Sequence, residues 1–218
     1  MAEQGVSADL PPGAVPWLHD VARWIGTWCF RLPFRLRVHG RDRVPADGPV
    51  VLVANHSSFV DGPLLFGVIG RRSVFLVKQE MFHGALGWVL PRIGQLPVRR
   101  GQADRAPLMA ALRVLRAGGL VSVFPEGTRG VGDVADAQHG SAWLARSTGA
   151  RVLPVVCRGT RRPGGSGRRW RPLVDVLVGE PFEVSARSGR AGLAAATEQV
   201  RSGLATLVTE VDLLRSRA

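Results

Sequence analysis

Short apolar runs alternate along this chain with segments in which apolar residues recur at helical spacing. The helical pattern covers residues 64–69, 84–93, 106–117, 141–148 and 193 onward, and Gly87 and Pro91 are expected to break the second of these helices. The runs that predict strands are residues 50–54, 73–77, 95–98, 120–124, 151–157 and 173–178, with a short edge strand at 38–44. This alternation predicts an α/β fold: a single domain with a largely parallel central sheet flanked by helices.

Proline and glycine add detail to the last two of these strands. Pro154 lies inside the run 151–157, which indicates an edge strand or a bulge because proline cannot donate to a neighbouring strand. Residues 161–171, with the sequence RRPGGSGRRWR, join that run to the next one. Their glycine and arginine content predicts a mobile hairpin tip.

Residues 14–40 carry a separate apolar stripe at helical spacing. The stripe consists of Trp17, Val21, Trp24, Ile25 and Trp28, and the arginines that flank it are Arg23, Arg31, Arg35 and Arg37. Its longest uncharged run, residues 24–30, is far shorter than the ~20 residues that a membrane-spanning helix needs. We therefore expect an amphipathic helical segment in the membrane interface at 14–40, a flexible leader at 1–13 and the α/β domain at 41–218. The alternative is a helix packed on the protein's own core.

The formal net charge of +12 in 218 residues comes almost entirely from arginine, since Lys78 is the only lysine. Such a charge favours an anionic partner: nucleic acid, a membrane surface or a phosphorylated substrate. The two cysteines, Cys29 and Cys157, have no metal-ligand spacing and indicate no disulfide framework, so a reducing compartment is expected. The acidic, polar N-terminus has no signal-peptide layout.

The first chemical candidate is His56, in the polar turn that follows the run 50–54. Asp61 comes five residues later, and on one continuous helix the two side chains would point roughly 140° apart. They can meet only if the chain turns between them, as it does where a strand gives way to a helix. Asp61 would then hold one ring nitrogen of His56 and leave the other as a base for an alcohol proton. The alternative is a surface histidine and a helix-capping aspartate that never touch.

A second polar cluster, residues 126–129, follows the strand predicted at 120–124. Gly127 permits a tight turn close to a ligand, Arg129 can place two donors on a phosphate, and Glu126 can hold that arginine or a substrate hydroxyl. Arg99 and Arg100 follow the strand predicted at 95–98. Because parallel strands end at one edge of a sheet, a base and two arginine sites are expected together there. The alternative for Arg129 is a surface ion pair with Glu126.

Three of these stretches resemble sequence blocks of the glycerolipid acyltransferases, the group that contains the 1-acylglycerol-3-phosphate acyltransferases. They are NHSSFVD at 55–61, FPEGTR at 124–129 and VLPVV at 152–156. Residues 94–100 resemble the remaining block, and Lys78 with Glu80 matches a lysine–acid pair found between the first two. The His–Asp spacing alone is a weak signal, whereas its combination with FPEGTR at a second strand end is specific.

The resemblance implies transfer of a fatty acyl group from acyl-CoA or acyl carrier protein to the sn-2 hydroxyl of 1-acylglycerol 3-phosphate, giving phosphatidic acid. It implies His56 as the base and Asp61 as the residue that orients it, with no covalent acyl-enzyme, no metal and no resident cofactor. The residues implied for the acceptor phosphate are Arg100, Glu126, Gly127, Thr128 and Arg129. Further candidates are Asn55, Lys78, Arg99 and Pro154, the last in a strand, residues 152–155, that would shape the acyl region.

The implied partners are a lysophospholipid acceptor, the acyl thioester and an anionic membrane surface, and no nucleic acid is expected. The implied location is the cytoplasmic face of the cell membrane, peripheral or monotopic. Backbone N–H groups in the turn at 56–63 are candidate donors to the thioester oxyanion.

Two departures from the family pattern leave the acceptor open. Gly130 stands where many relatives have serine, and Gln138 and His139 stand where a basic residue is usual. One alternative is the same transfer to glycerol 3-phosphate, another lysophospholipid or a glycolipid. The others are a basic nucleic-acid-binding protein, which the scattered arginines do not favour, and a lipid-binding relative without activity.

Overall fold

The computed structural model describes residues 9–99, 105–125, 139–161 and 170–217. Strands and helices alternate through these ranges. The strands are β1 (Arg35–His39), β2 (Val50–Ala54), β3 (Val74–Lys78), β4 (Leu96–Val98), β5 (Leu120–Val123), β6 (Arg151–Arg158) and β7 (Leu173–Val178). The α-helices are α1 (Pro16–Cys29), α2 (Asp61–Val68), α3 (Gly84–Arg92), α4 (Arg105–Arg116), α5 (His139–Thr148) and α6 (Gly189–Ser216).

The strands form one sheet in the order β1-β7-β6-β2-β5-β3-β4. Every neighbouring pair is parallel except β6 and β7, which are antiparallel. Strands β2 to β6 therefore all end at the same edge of the sheet, which we call the upper edge. Strands β1 and β7 run the opposite way and begin there. The largely parallel sheet predicted from the sequence is confirmed.

Helices cover both faces of the sheet, which explains why all five residues of β2 are buried. On one face, Val50 and Leu52 pack with residues of α1, α2 and α3. On the other face, Val51 and Val53 pack with residues of α4, α5 and α6. The end of β6 and the second half of α6 share a smaller apolar cluster.

Helix α1 packs on α2 through the face opposite its apolar stripe. The two backbones approach closely at Gly26 and Gly67, where a Cβ on Gly67 would lie 2.7 Å from the carbonyl carbon of Gly26. The hydroxyl of Thr27 donates to the carbonyl of Gly67 at 2.7 Å. All five residues of the stripe remain exposed, by 42 to 66%. The stripe is therefore not part of the core, although the helix that carries it is fixed to the domain.

Several predicted boundaries were wrong. The helical segment predicted at 14–40 ends at Cys29, and residues 35–39 are strand β1 because they pair with β7. That strand replaces the one predicted at 38–44. The predicted leader also extends too far, because Leu10 is buried in the core. Helix α3 is continuous, since Pro91 lies near its end, where little helix remains to be broken.

Pro154 lies in a strand inside the sheet, but at this point β6 has a regular partner strand on one side only. On the other side Val155 pairs with Val178 and Val152 with Phe182, so the facing segment holds one extra residue opposite Pro154, as in a bulge. Strand β6 pairs with β2 along one side, with Val53 opposite Pro154. The N–H of Arg151 donates toward β2, to Pro49, and that of Val152 donates to the other side, to Phe182. N–H directions alternate along a strand, so the nitrogen of Pro154 also faces away from β2, beyond the end of β7.

Candidate active site

Asn55 fixes the start of the polar turn that follows β2. Its side-chain amide donates to the carbonyl of Cys157 at 3.0 Å, and its side-chain oxygen accepts the N–H of Cys157 at 2.8 Å. The wholly buried Asn55 side chain thus continues the pairing of β2 with β6 after the backbone has turned away. This contact sets the position of the next residue, His56.

The ring of His56 lies at the upper edge, and only 8% of the residue is exposed. It stacks on the ring of Phe124, the residue after β5, with the centroids 4.2 Å apart. Its Nδ1 lies 3.5 Å from Oδ2 of Asp61. Within the described part of the chain, this buried Nδ1 has no hydrogen-bond partner. The predicted approach of His56 and Asp61 is confirmed as a close electrostatic contact, longer than a hydrogen bond.

The carboxylate of Asp61 is fully buried and holds the turn together. Its Oδ2 accepts the N–H groups of Ser57 and Ser58, each at 2.7 Å. Its Oδ1 accepts the hydroxyl of Thr160 at 2.5 Å. Asp61 therefore does more than cap a helix: it folds the five-residue segment back so that its own carboxylate faces the histidine.

These contacts remove several of the expected oxyanion donors. The N–H groups of Ser57 and Ser58 are engaged with Asp61, that of Val60 with the hydroxyl of Ser58, and that of Asp61 with the carbonyl of Ser58. Other N–H groups within residues 56–63 are not part of these contacts, so the expectation of oxyanion donors in this turn stays a prediction.

Thr160 is the residue that the sequence reasoning missed. It follows the end of β6, is buried, and also lies 3.3 Å through its Oγ1 from Oγ of Ser57. The signal was available, because Arg158-Gly159-Thr160 ends an apolar strand in the same abrupt way as the other two candidate turns.

The remaining described candidates lie further from His56. Lys78, at the end of β3, is half exposed and pairs with Glu80 at 3.1 Å. Arg99 is exposed and follows the end of β4. Strand β4 is the third strand from β2, so the two strands are about 14 Å apart across the sheet. Pro154 is buried within the sheet. His139 begins α5 and contacts the hydroxyl of Thr197, 3.1 Å away.

Five phosphate candidates lie outside the described residues: Arg100, Glu126, Gly127, Thr128 and Arg129. The chain that leads into the last four is described. Val123 pairs with Val53, and Phe124 is the residue stacked on His56. The last described residues before this segment therefore include the one that contacts the histidine.

A cysteine nucleophile and a metal centre are the two other chemistries on which the described residues bear. Burial raises the pKa of the Cys157 thiol well above its ordinary value, so this cysteine stays protonated and is a poor nucleophile. Those residues contain no cluster of three or more histidine, cysteine, aspartate or glutamate side chains that could bind a metal ion. The chemistry that the described geometry offers is therefore that of an imidazole beside a buried carboxylate.

An α/β sheet whose parallel strands end at a His–Asp pair defines the class of this protein, and comparison with known proteins agrees. Residues 35–158, more than half of the chain, match the family model described as Acyltransferase. The chain belongs to that family, and the protein is an acyltransferase.

Its relatives include enzymes named for lysophospholipids. It is 26% identical over 186 residues to the 1-acyl-sn-glycerol-3-phosphate acyltransferase of Bacillus subtilis, with 82% of this chain and 91% of that protein covered. It is 32% identical to the chloroplastic LPAT1 of Arabidopsis thaliana, named for the same activity, over 70% of this chain and 45% of that protein. It is 36% identical to the lyso-ornithine lipid O-acyltransferase of Pseudomonas aeruginosa, over 66% of this chain and 57% of that protein.

A solved structure shows the same fold. The 1-acyl-sn-glycerophosphate acyltransferase PlsC from Thermotoga maritima superposes with a TM-score of 0.70 at 29% sequence identity. The match covers 88% of this chain and 80% of that one.

Proposed function

We propose that this acyltransferase moves a fatty acyl group from acyl-CoA or acyl carrier protein to the sn-2 hydroxyl of 1-acylglycerol 3-phosphate, giving phosphatidic acid. The observation that carries the mechanism is the buried Nδ1 of His56, 3.5 Å from a carboxylate that is itself fixed by the turn. The names of the Bacillus and Thermotoga relatives support the choice of acceptor.

In this mechanism Nε2 of His56 accepts the proton of the acceptor hydroxyl. The hydroxyl oxygen attacks the carbonyl carbon of the thioester, the carbon–sulfur bond breaks, and the imidazolium returns its proton to the departing thiolate. Asp61 stabilises the imidazolium through Nδ1, and Phe124 fixes the plane of the ring. The phosphate is assigned to Arg100 and residues 126–129 by family resemblance.

We also propose that the enzyme works at a membrane surface as a peripheral protein, on the cytoplasmic face. Within the described ranges, no helix has the length and apolar content needed to cross a bilayer. The exposed stripe of α1 carries three tryptophans, and the guanidinium of Arg31 lies 5.3 Å from the ring centre of Trp28. Apolar side chains beside cations are typical of helices in an anionic interface.

The test is acyl transfer to 1-acylglycerol 3-phosphate in vesicles by the wild-type enzyme and by His56→Ala. General-base catalysis contributes roughly 10²- to 10⁴-fold to the rate, so we expect kcat/KM of His56→Ala to fall by roughly 10²-fold or more. His83→Ala, which removes an exposed histidine before α3, is the matched control and should retain full activity. A folded His56→Ala variant with wild-type turnover would reject the mechanism.

A second acceptor deserves the same assay because of the Pseudomonas relative, which is named for a lyso-ornithine lipid. Wild-type enzyme should be compared on 1-acylglycerol 3-phosphate, glycerol 3-phosphate and lyso-ornithine lipid. Preference for the first, by kcat/KM, is the expected outcome. Preference for lyso-ornithine lipid would assign the same chemistry to a different substrate.

A further inference from the structure

Two large apolar side chains, Leu32 and Trp170, are more exposed than any others in the described residues. Leu32 is 76% exposed and lies between α1 and β1, while Trp170 is 86% exposed and lies just before β7. Neither belongs to the stripe of α1 or to the candidate active site. Exposure of this extent leaves almost the whole side chain available to a partner.

The pairing of β1 with β7 brings these two residues together. The parallel register begins with Arg35 opposite Leu173, and Arg35 donates its N–H to the carbonyl of Pro172 at 3.0 Å. The guanidinium of Arg171 also donates to the carbonyl of Arg31, at 2.9 Å. These two contacts hold the segment that carries Leu32 next to the segment that carries Trp170. We call this pair the Leu32–Trp170 patch.

The patch lies at the upper edge of the sheet, because β1 and β7 begin there. His56 is at the same edge, on the turn after β2. Trp28, the last residue of the exposed stripe, is four residues before Leu32 in sequence. The patch therefore follows the end of the α1 stripe and lies at the edge that carries the site.

Exposed arginines lie near the patch. Arg31, Arg35 and Arg171 are all exposed, and each is within a few residues of Leu32 or Trp170 in sequence. Large exposed apolar side chains with arginines nearby suit an anionic bilayer, because acyl chains accept the apolar groups and phosphate headgroups accept the guanidinium groups.

We propose that the Leu32–Trp170 patch is a second contact with an anionic bilayer, which orients the catalytic edge toward the lipid. The proposal rests on the membrane association proposed above. A single interfacial helix leaves the domain able to roll about the helix axis. A second contact away from that axis prevents rolling and holds the edge with His56 at the depth of the acceptor headgroup.

The test compares the wild-type enzyme with the double variant Leu32→Ala/Trp170→Ala. Met109→Ala, which removes an exposed side chain of α4 on the opposite face of the sheet, is the matched control. Cosedimentation is measured with vesicles of phosphatidylcholine containing a minority of phosphatidylglycerol. Acyl transfer is measured with an acceptor embedded in those vesicles and with a short-chain acceptor that is monomeric in water.

We expect the vesicle partition coefficient of the double variant to fall roughly 10- to 100-fold, because two large apolar side chains no longer enter the interface. Activity on the vesicle acceptor should fall with it, while activity on the monomeric acceptor stays within about two-fold of the wild type. The control variant should match the wild type in both assays.

Unchanged partitioning of the double variant would overturn the proposal, as would an equal loss of activity on the monomeric acceptor. Wild-type protein that binds duplex DNA through the patch, or that forms a dimer which the double variant cannot form, would assign the patch to another partner. If the wild type transfers no acyl group to either acceptor, the proposed function fails, and vesicle binding alone still decides the role of the patch.

Discussion

At the scale of single residues, the site depends on the two carboxylate oxygens of Asp61, which have different partners. Oδ2 binds the backbone of the turn and faces His56, while Oδ1 is held by Thr160 from the end of β6. The torsion of the carboxyl group, and hence the direction in which Oδ2 points, is therefore fixed from both sides. This makes Thr160 a positioning residue that acts on the base through Asp61.

Replacing Thr160 with valine tests this role, because valine keeps the shape and removes the hydroxyl. A buried carboxylate oxygen then loses its partner, at a cost of about 1–3 kcal/mol in the free energy of unfolding. We expect kcat to fall roughly 10-fold or more with little change in acceptor KM, because Asp61 is freed to turn away from His56. Steady-state kinetics and urea unfolding provide both readouts.

Thr160→Ser supplies the control, since serine retains the hydroxyl and should restore most of kcat. If valine lowers stability yet leaves kcat and its pH profile unchanged, Thr160 only stabilises the fold.

The sequence predicted one half of this arrangement and missed the other. The approach of His56 and Asp61 was predictable because the strand end and the helix start are local signals, and both lie within one turn. The contacts of Asn55 and Thr160 depend on which strand lies beside β2, and the order of the strands is set by packing across the whole sheet. The abrupt polar end of β6 marks Thr160 as a candidate, but no local pattern shows that it contacts residue 61.

At the scale of elements, α1 is held to the domain by His19 as well as by its packing on α2. Nδ1 of the buried His19 lies 2.7 Å from the carbonyl of Ile93, at the end of α3, and Nε2 accepts the N–H of Ser73, before β3, at 3.4 Å. Both ring nitrogens are thus used by the neutral tautomer.

His19 makes the stability of the protein dependent on pH. Burial is the main reason why the pKa of His19 is lowered from 6.5 to about 4. The Ile93 carbonyl and Asp20 raise this pKa, whereas the charges of Arg23 and Arg72 lower it further. Since the unfolded chain takes up the proton first, stability is lost as the pH falls from 6.5 toward 4. The free energy of unfolding falls by up to about 3 kcal/mol, because each unit of difference between the folded and unfolded pKa is worth about 1.36 kcal/mol.

His19→Asn isolates this effect, because asparagine can donate to Ile93 but does not titrate. Urea unfolding of both proteins should show the wild type more stable at pH 7, with the difference narrowing as the pH is lowered toward 4. Titration of the carboxylates changes the free energy of unfolding of both proteins alike, so it cancels in the difference between them. A constant difference across this range would mean that His19 is not the titrating group.

Element positions were predictable to within a few residues, and the errors have physical causes. The apolar stripe of α1 was visible from its helical period, but where the helix ends was not, because residues 35–39 become a strand only by pairing with β7, far along the chain. The proline rule correctly indicated irregular pairing at Pro154, but it could not show that β2 pairs regularly with the other side of β6, from which the missing donor faces away. In both cases the decisive partner is distant in sequence.

At the scale of the whole molecule, the count of 29 lysines and arginines overstates the number of basic side chains available to a partner. The buried Asp175 binds Arg37 and Arg215. Burial would raise the pKa of Asp175, but the hydrogen bond and charge of Arg37 and the charge of Arg215 outweigh burial and lower it. Arg72 is likewise paired with Asp20. Arg37 and Arg215 thereby join β1, β7 and α6, and Arg72 joins the chain before β3 to α1.

The arginines that remain exposed near the α1 stripe and the Leu32–Trp170 patch make vesicle binding dependent on salt. The Debye length falls from about 10 Å at 0.1 M to about 3 Å at 1 M, so the attraction to anionic headgroups is screened over that range while burial of the tryptophans is not. We therefore expect binding to phosphatidylglycerol-containing vesicles to weaken as salt is raised and to level off at the affinity shown by pure phosphatidylcholine vesicles. Cosedimentation across a salt series, with both kinds of vesicle, measures how far binding weakens and the level at which it stops falling. Binding that vanishes completely at high salt would mean that charge alone holds the protein to the bilayer and that the exposed apolar stripe makes no contact with lipid.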